Sequence, residues 1–137
     1  MDPSIDVESL SRPSFNKALK NLFTNNGWKS EVRVFEKMSG PDAKLDFVKE
    51  RVGIEVGFAH GSNLGIDLLK LQVSSYSGLD NIDVGVLVTT TSEFQKQMRK
   101  QYNQNWEGSL TFEKVVRYLP HFKSAIQVPI YVLGIDM

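Results

Sequence analysis

The sequence predicts an α/β (α+β) domain, a mixed central sheet of about five strands flanked by helices in the order αβββαβααβ. Three observations predict it. Helix-period apolar stripes are interspersed with short runs that alternate apolar and polar residues. Two of those runs, Lys44 to Val48 and Gly53 to Ala59, are separated by a short charged stretch around Lys49-Glu50-Arg51, which is the pattern of an antiparallel hairpin. A continuous apolar run, Val84-Gly85-Val86-Leu87-Val88, follows a helical stretch and reads as a central strand covered on both faces and reached by a parallel crossover. With 137 residues the chain is the size of one domain, 1–137, and it shows no repeat, low-complexity tract or linker.

Each element has its own signal. Phe15, Ala18, Leu19, Leu22 and Phe23 mark one face of a first helix, Arg12 to Asn25, with Ser11, Pro13 and Ser14 as starting signals and Asn25-Asn26-Gly27 as the stop. Trp28 to Phe35 reads as a strand, and Ser39-Gly40-Pro41-Asp42 as a turn before the hairpin. A second helix spans about Ser62 to Tyr76. Its apolar residues fall on two adjoining faces, which predicts burial on more than one side. After Val84–Val88, the capping-box pattern Ser92-x-x-Gln95 opens a third helix to about Tyr102. A fourth runs from Thr111 to Tyr118, stopping before Pro120, and Pro129 to Leu133 reads as the last strand.

Composition narrows the function classes. The apolar fraction is 41% and the charged fraction 23%, enough for a core and unlike a disordered chain. No apolar run is long enough to span a bilayer, and the acidic, polar Met1-Asp2-Pro3-Ser4-Ile5-Asp6 is unlike a secretory leader, so an intracellular, cytoplasmic location away from membranes is expected. The absence of cysteine removes disulfides, zinc-thiolate sites and cysteine nucleophiles. Only His60 and His121 could offer imidazole, with no companion at ligand spacing, and no GxxxxGK[ST] loop suggests nucleotide hydrolysis. Sixteen Lys+Arg balance sixteen Asp+Glu, so overall charge neither announces nor forbids nucleic acid.

The hairpin carries the chemistry. A turn centred on Glu50-Arg51 pairs positions that sum to 101, placing Asp46 opposite Glu55, Lys44 opposite Gly57 and Phe47 opposite Ile54. A one-residue slip would put the two acids on opposite faces. Opposed residues have Cβ atoms about 4.5–5.5 Å apart, so two like charges there repel unless neutralised. A Mg²⁺ ion, which prefers one or two carboxylates with water and phosphate oxygens, answers that repulsion. Spacing alone leaves open a solvated strand face, or a pairing of one acid with Lys44.

These residues resemble the PD-(D/E)xK nuclease superfamily, whose signature is an Asp opening one hairpin strand and Glu-x-Lys on its partner; here the positions are Asp46 and Glu55-Val56-Gly57. Ile54-Glu55-Val56-Gly57-Phe58 and the following Ile66-Asp67-Leu68-Leu69-Lys70 are most similar to the BglII/BstYI-type restriction endonucleases, over roughly Asp6 to Thr91. The resemblance implies a restriction-endonuclease-like core acting as a Mg²⁺-dependent (or Mn²⁺-dependent) endonuclease on double-stranded DNA. Asp46, Glu55 and the Val56 carbonyl would be the metal ligands, and Glu8 is the nearest candidate for an assisting acid on the first helix. Gly57 departs from the pattern, because the family has Lys or Gln there. Lys70 on the second helix and Lys44 across the hairpin are equal candidates to replace it, with His60 as a possible base.

Nucleic-acid contacts are expected from Lys96, Arg99 and Lys100, at helical spacing on the third helix, followed by Trp106, which could stack on a base. The same stretch also reads as a solvated face. Lys114, Arg117 and Lys123 form a weaker basic cluster, while Phe94, Met98 and Tyr102 form a core stripe. The resembled enzymes carry additional elements for sequence reading, so for a chain of this length the resemblance implies low intrinsic sequence specificity, a homodimer, or a partner that supplies recognition. The alternative reading is a catalytically inactive or weakly active DNA-binding or assembly module that kept the fold, and beyond it a small interaction protein with no nucleic-acid role.

Overall fold

A computed structural model describes residues 10–36, 43–58, 64–76, 79–106 and 110–137. Glu8 and His60 lie outside the described residues. The elements, in order, are α1 (Arg12–Asn25), β1 (Lys29–Arg33), β2 (Lys44–Lys49), β3 (Val52–Val56), α2 (Leu64–Tyr76), β4 (Val84–Thr90), α3 (Ser92–Tyr102), α4 (Phe112–Tyr118), a 3-10 turn (Leu119–Phe122) and β5 (Ile130–Ile135).

The five strands form one mixed sheet in the order β1-β2-β3-β4-β5. The first three pair antiparallel, and β4 and β5 join in parallel. The predicted register holds where β2 and β3 pair: Phe47 faces Ile54, Val48 faces Gly53 and Lys49 faces Val52. Glu50 and Arg51 both have positive φ, 49° and 65°, the backbone of a tight two-residue hairpin turn. Arg51 ties that turn to the loop before β4, its guanidinium reaching Asp80 Oδ1 and Asp83 Oδ2 at 2.8 Å each.

Helices cover both faces. Under α1 and α3, Phe47, Ile54, Val56, Phe58 and Val88 pack against Phe15, Leu19 and Phe23 on one side and Phe94 and Met98 on the other. On the opposite face Leu71 of α2 packs with Leu45, Val48 and Ile82, while Val115 of α4 packs with Leu87. Glycine lets the layers approach there: a Cβ on Gly134 would stand 2.8 Å from Phe112 Cγ, and one on Gly53 would stand 2.9 Å from Ile82 Cγ2.

Several boundaries and faces differ from the sequence reading. The first strand is shorter, because Val34 and Phe35 have already left the ladder, and the second hairpin strand ends at Val56, with Gly57 and Phe58 forming a turn. The third helix begins one residue earlier in its capping logic: Thr91, not Ser92, is the N-cap, its hydroxyl accepting from the Phe94 N–H at 3.0 Å. Alternation on β2 is not regular. Leu45 and Val48 lie under α2 whereas Phe47 lies under α1, so the strand turns over at Asp46. The second apolar face of α2 is exposed at Ile66 (55%) and Leu69 (51%), while Val73 packs partly into the core.

Candidate active site

The β2–β3 ladder stops at Phe47 and Ile54. Beyond that pair, side chains take over the bonding that main chain would otherwise supply. The Val56 N–H donates to Asp46 Oδ2 at 2.7 Å, and the Asp46 N–H donates to Glu55 Oε1 at 3.2 Å. Each acid therefore holds the opposite strand where the hairpin opens. The β1 register, with Ser30 facing Phe47 and Val32 facing Leu45, sets Glu31 opposite Asp46 in turn. Glu31 has φ 53°, an uncommon left-handed conformation for a side-chain-bearing residue in a strand.

Helix α2 supplies the compensating charge. Lys70 Nζ lies 2.9 Å from Glu55 Oε2 and 3.8 Å from Asp67 Oδ1, and it donates to the Lys44 carbonyl at 3.0 Å. Glu55 is 2% exposed and Asp67 7%. Three carboxyls around one ammonium leave a surplus of negative charge in a poorly hydrated place. Burial first, and the Asp46 charge second, push the Glu55 carboxyl up to about 8 against the pull of Lys70. Burial likewise raises Asp46, opposed by the Val56 N–H, and raises Asp67, opposed by Lys70. For Lys70 burial acts to lower the pKa, but its bond to Glu55 and the surrounding acids outweigh it, and the net direction is upward.

Asp46 opens onto a small cleft of about 170 Å³ that it shares with Asn16 and Lys20 of α1 and with Ser30 and Glu31 of β1. Lys20 Nζ approaches Glu31 Oε2 at 3.9 Å across its rim. The site thus has a buried half, Glu55 with Lys70 and Asp67, and an accessible half at Asp46.

Of the two lysines expected to replace the missing side chain, only Lys70 brings its ammonium to the acids. Lys44 does not stand opposite Gly57: the ladder has ended, and Lys44 pairs with Arg33 of β1. It contributes its carbonyl oxygen instead. Nor does Gly57 leave room for a lysine to enter. Its N–H donates to the Val88 carbonyl, and a Cβ there would stand 3.1 Å from Thr89 Cγ2 and 3.2 Å from Val88 O.

Trp106 requires correction too. It is 1% exposed, its Nε1–H donates to the Leu10 carbonyl at 3.1 Å, and its ring packs edge-on against Phe15 and Phe94 with centroids 5.0 and 5.1 Å apart. It is a core residue, so stacking on a base falls away. Lys96, Arg99 and Lys100 are exposed on α3 and line a groove of about 500 Å³ with Ser92, Gln95 and Thr111.

Sequence reasoning missed Asp67, Glu31, Asn16 and Lys20. Asp67 had a visible signal, since it stands three residues before Lys70 and hence on the same helix face. The others carried none, because only the pairing of β1 with β2 brings Glu31, and only the packing of α1 brings Asn16 and Lys20, to Asp46.

A mixed five-stranded sheet of this order with helices on both faces defines a restriction-endonuclease-like fold. The chain belongs to the BglII/BglIII restriction endonuclease family, whose model matches residues 2–135. Its fold is similar to the crystal structure of restriction endonuclease BglII complexed with a DNA 16-mer, with a TM-score of 0.65 at 20% identity, over 90% of this chain. The chain spans 54% of the length of that enzyme. No curated protein matches it in sequence. Among the described residues no helix is long and apolar enough to cross a membrane.

Proposed function

We propose that the chain is a Mg²⁺- or Mn²⁺-dependent endonuclease that hydrolyses phosphodiester bonds in double-stranded DNA. The observation that carries this reading is the contact of Lys70 Nζ with Glu55 Oε2 beside the Asp46–Val56 hydrogen bond, which supports a cation site and a lysine in one place. The acids present fit a divalent ion: two opposed carboxylates with raised pKa, and a surplus of acid over base around Lys70. Among the described residues no cage of three or more acidic or imidazole ligands is arranged, and magnesium does not require one.

Asp46, Glu55 and the Val56 carbonyl would hold the ion. When bound, it supplies positive charge for the phosphate and makes nearby water easier to deprotonate. The protein's own groups do the rest. Asp46, on the accessible side, orients what enters the cleft. Lys70 presents a fixed ammonium to the phosphate and stabilises charge developing on it, the part that the missing lysine of the Glu-x-Lys pattern would play. Burial of Glu55 keeps competing water away. Lys96, Arg99 and Lys100 hold flanking phosphates and fix register.

Plasmid incubated with Mg²⁺ or Mn²⁺ should be nicked by the wild type and left intact by Asp46→Ala. Equal nicking by both proteins, or none under any condition, removes the reading. DNA binding that persists with chelator but never leads to cleavage would instead place the chain with non-catalytic modules. Replacing Lys96 and Lys100 together by Ala should lower the dependence of log K on log salt by about 0.9 for each phosphate that is no longer neutralised. A two-fold dimer would set two sites on the two strands, and light scattering of the DNA complex measures it.

A further inference from the structure

Asp67 is a buried acid that the proposed chemistry does not use. It lies one helical turn before Lys70, with Oδ1 at 3.8 Å from the ammonium, and its carboxyl is in hydrogen-bond contact with that of Glu55, both of them buried. A second buried carboxyl against the first is unfavourable, and a structure retains one where something else requires it.

The surroundings of Lys70 indicate what that is. An ammonium has three N–H donors, and Lys70 has three acceptors around it: Glu55 Oε2, the Lys44 carbonyl and, at longer range, Asp67 Oδ1. One of the three, Glu55, is also a proposed cation ligand. Once Glu55 turns its charge to a cation, its hold on Lys70 weakens. The Lys44 carbonyl carries only a dipole, and Asp46 is itself a proposed cation ligand, so Asp67 is the acid left to the ammonium. It belongs to α2 itself and moves with Lys70.

We infer that Asp67 is a positioning residue, which keeps the Lys70 ammonium at the mouth of the hairpin when Glu55 is engaged elsewhere and frees one Lys70 N–H for a phosphate oxygen. The inference rests on the nuclease reading for its consequence in catalysis, but the placement of Lys70 can be measured without any cleavage.

Reductive methylation with formaldehyde and cyanoborohydride in the presence of Mg²⁺, read by mass spectrometry, reports how accessible each lysine is. Exposed Lys96 and Lys100 serve as references. Asp67→Ala should raise the Lys70 rate at least about tenfold relative to those two, and lower kcat for plasmid nicking by about tenfold or more with KM within about twofold. Asp67→Asn keeps an oxygen toward Lys70 without the charge and should fall between; it decides the matter alone if the alanine variant does not fold. A merely structural role would lower Tm and leave relative Lys70 labelling where it was. Unchanged Lys70 labelling in the folded variants, or full kcat despite an exposed Lys70, overturns the inference. A wild type that cleaves nothing while Lys70 labelling still rises in the variants removes the nuclease reading and leaves the positioning intact.

Discussion

The two ends of the β2–β3 hairpin carry the same kind of chemistry and behave in opposite ways. At the closed end Arg51 holds Asp80 and Asp83 at 2.8 Å, with all three side chains well exposed. At the open end Lys70 holds Glu55 at 2.9 Å, and Glu55 and Asp67 are buried. The bond to Arg51 lowers the Asp83 carboxyl below its ordinary range, whereas Glu55 rises to about 8 in spite of its lysine. The difference is water. Exposed charges lose little hydration when they pair, so the attraction sets the direction; buried ones lose most of it, and an ammonium shared among three carboxyls does not restore it. The closed end secures a turn. The open end retains an affinity for protons or cations, which is a useful property where a charged substrate is to be handled.

The sharpest way to break this comparison is to remove a charge from each end. Asp46→Asn should reduce plasmid cleavage at least about a hundredfold in a Mg²⁺ assay, because the ion that Asp46 would hold supplies the charge that stabilises the phosphate. Arg51→Ala at the other end should leave the cleavage rate within error.

Stability against pH should differ in sign between the ends. Glu55 binds its proton more tightly in the folded chain (about 8) than its ordinary 4.5. Across that interval the folded state holds more protons than the unfolded state, so stability is greatest at the low end and falls as pH rises toward 8, levelling above it. The loss for the metal-free protein is on the order of 3–5 kcal/mol, read as the fall of the urea midpoint. Glu55→Gln should flatten the curve. Asp83 works the other way: its folded pKa lies below 3.8, so its contribution is present above that pH and disappears as the solution is acidified. A midpoint that rises between pH 5 and 8 would mean that the open end is hydrated after all.

Lys70→Met should destabilise the protein by about 3 kcal/mol at pH 9, the lower end of what stranding one partner of a buried pair costs, and by less at pH 6, where Glu55 takes up a proton instead. Urea unfolding at the two pH values measures both. The smallest effect belongs to Arg51→Ala, whose Tm shift should be less than that of Lys70→Met and shrink further in high salt, as expected of exposed ion pairs.

Much of the site was legible in one dimension because a hairpin is nearly local. Its register follows from the turn and from alternation, so Asp46 and Glu55 could be opposed on paper. The same logic misplaced Lys44, since it assumed that the ladder continued past Phe47; the acids themselves end it by taking the Val56 and Asp46 N–H groups. It also misread Trp106. An aromatic in a polar stretch looks available to a base, and only packing against residues as distant in the chain as Phe15 and Phe58 makes it core.

The sequence by itself determined the order of elements, the mixed sheet and the register of the paired part of the hairpin, because periodicity and a two-residue turn act over a few residues. The tertiary structure decided which lysine reaches those acids, how dry they are and which side of the hairpin stays accessible. Those depend on how α1 and α2 pack over the two faces of the sheet, and burial and electrostatics are properties of that packing, which no local pattern in the chain encodes.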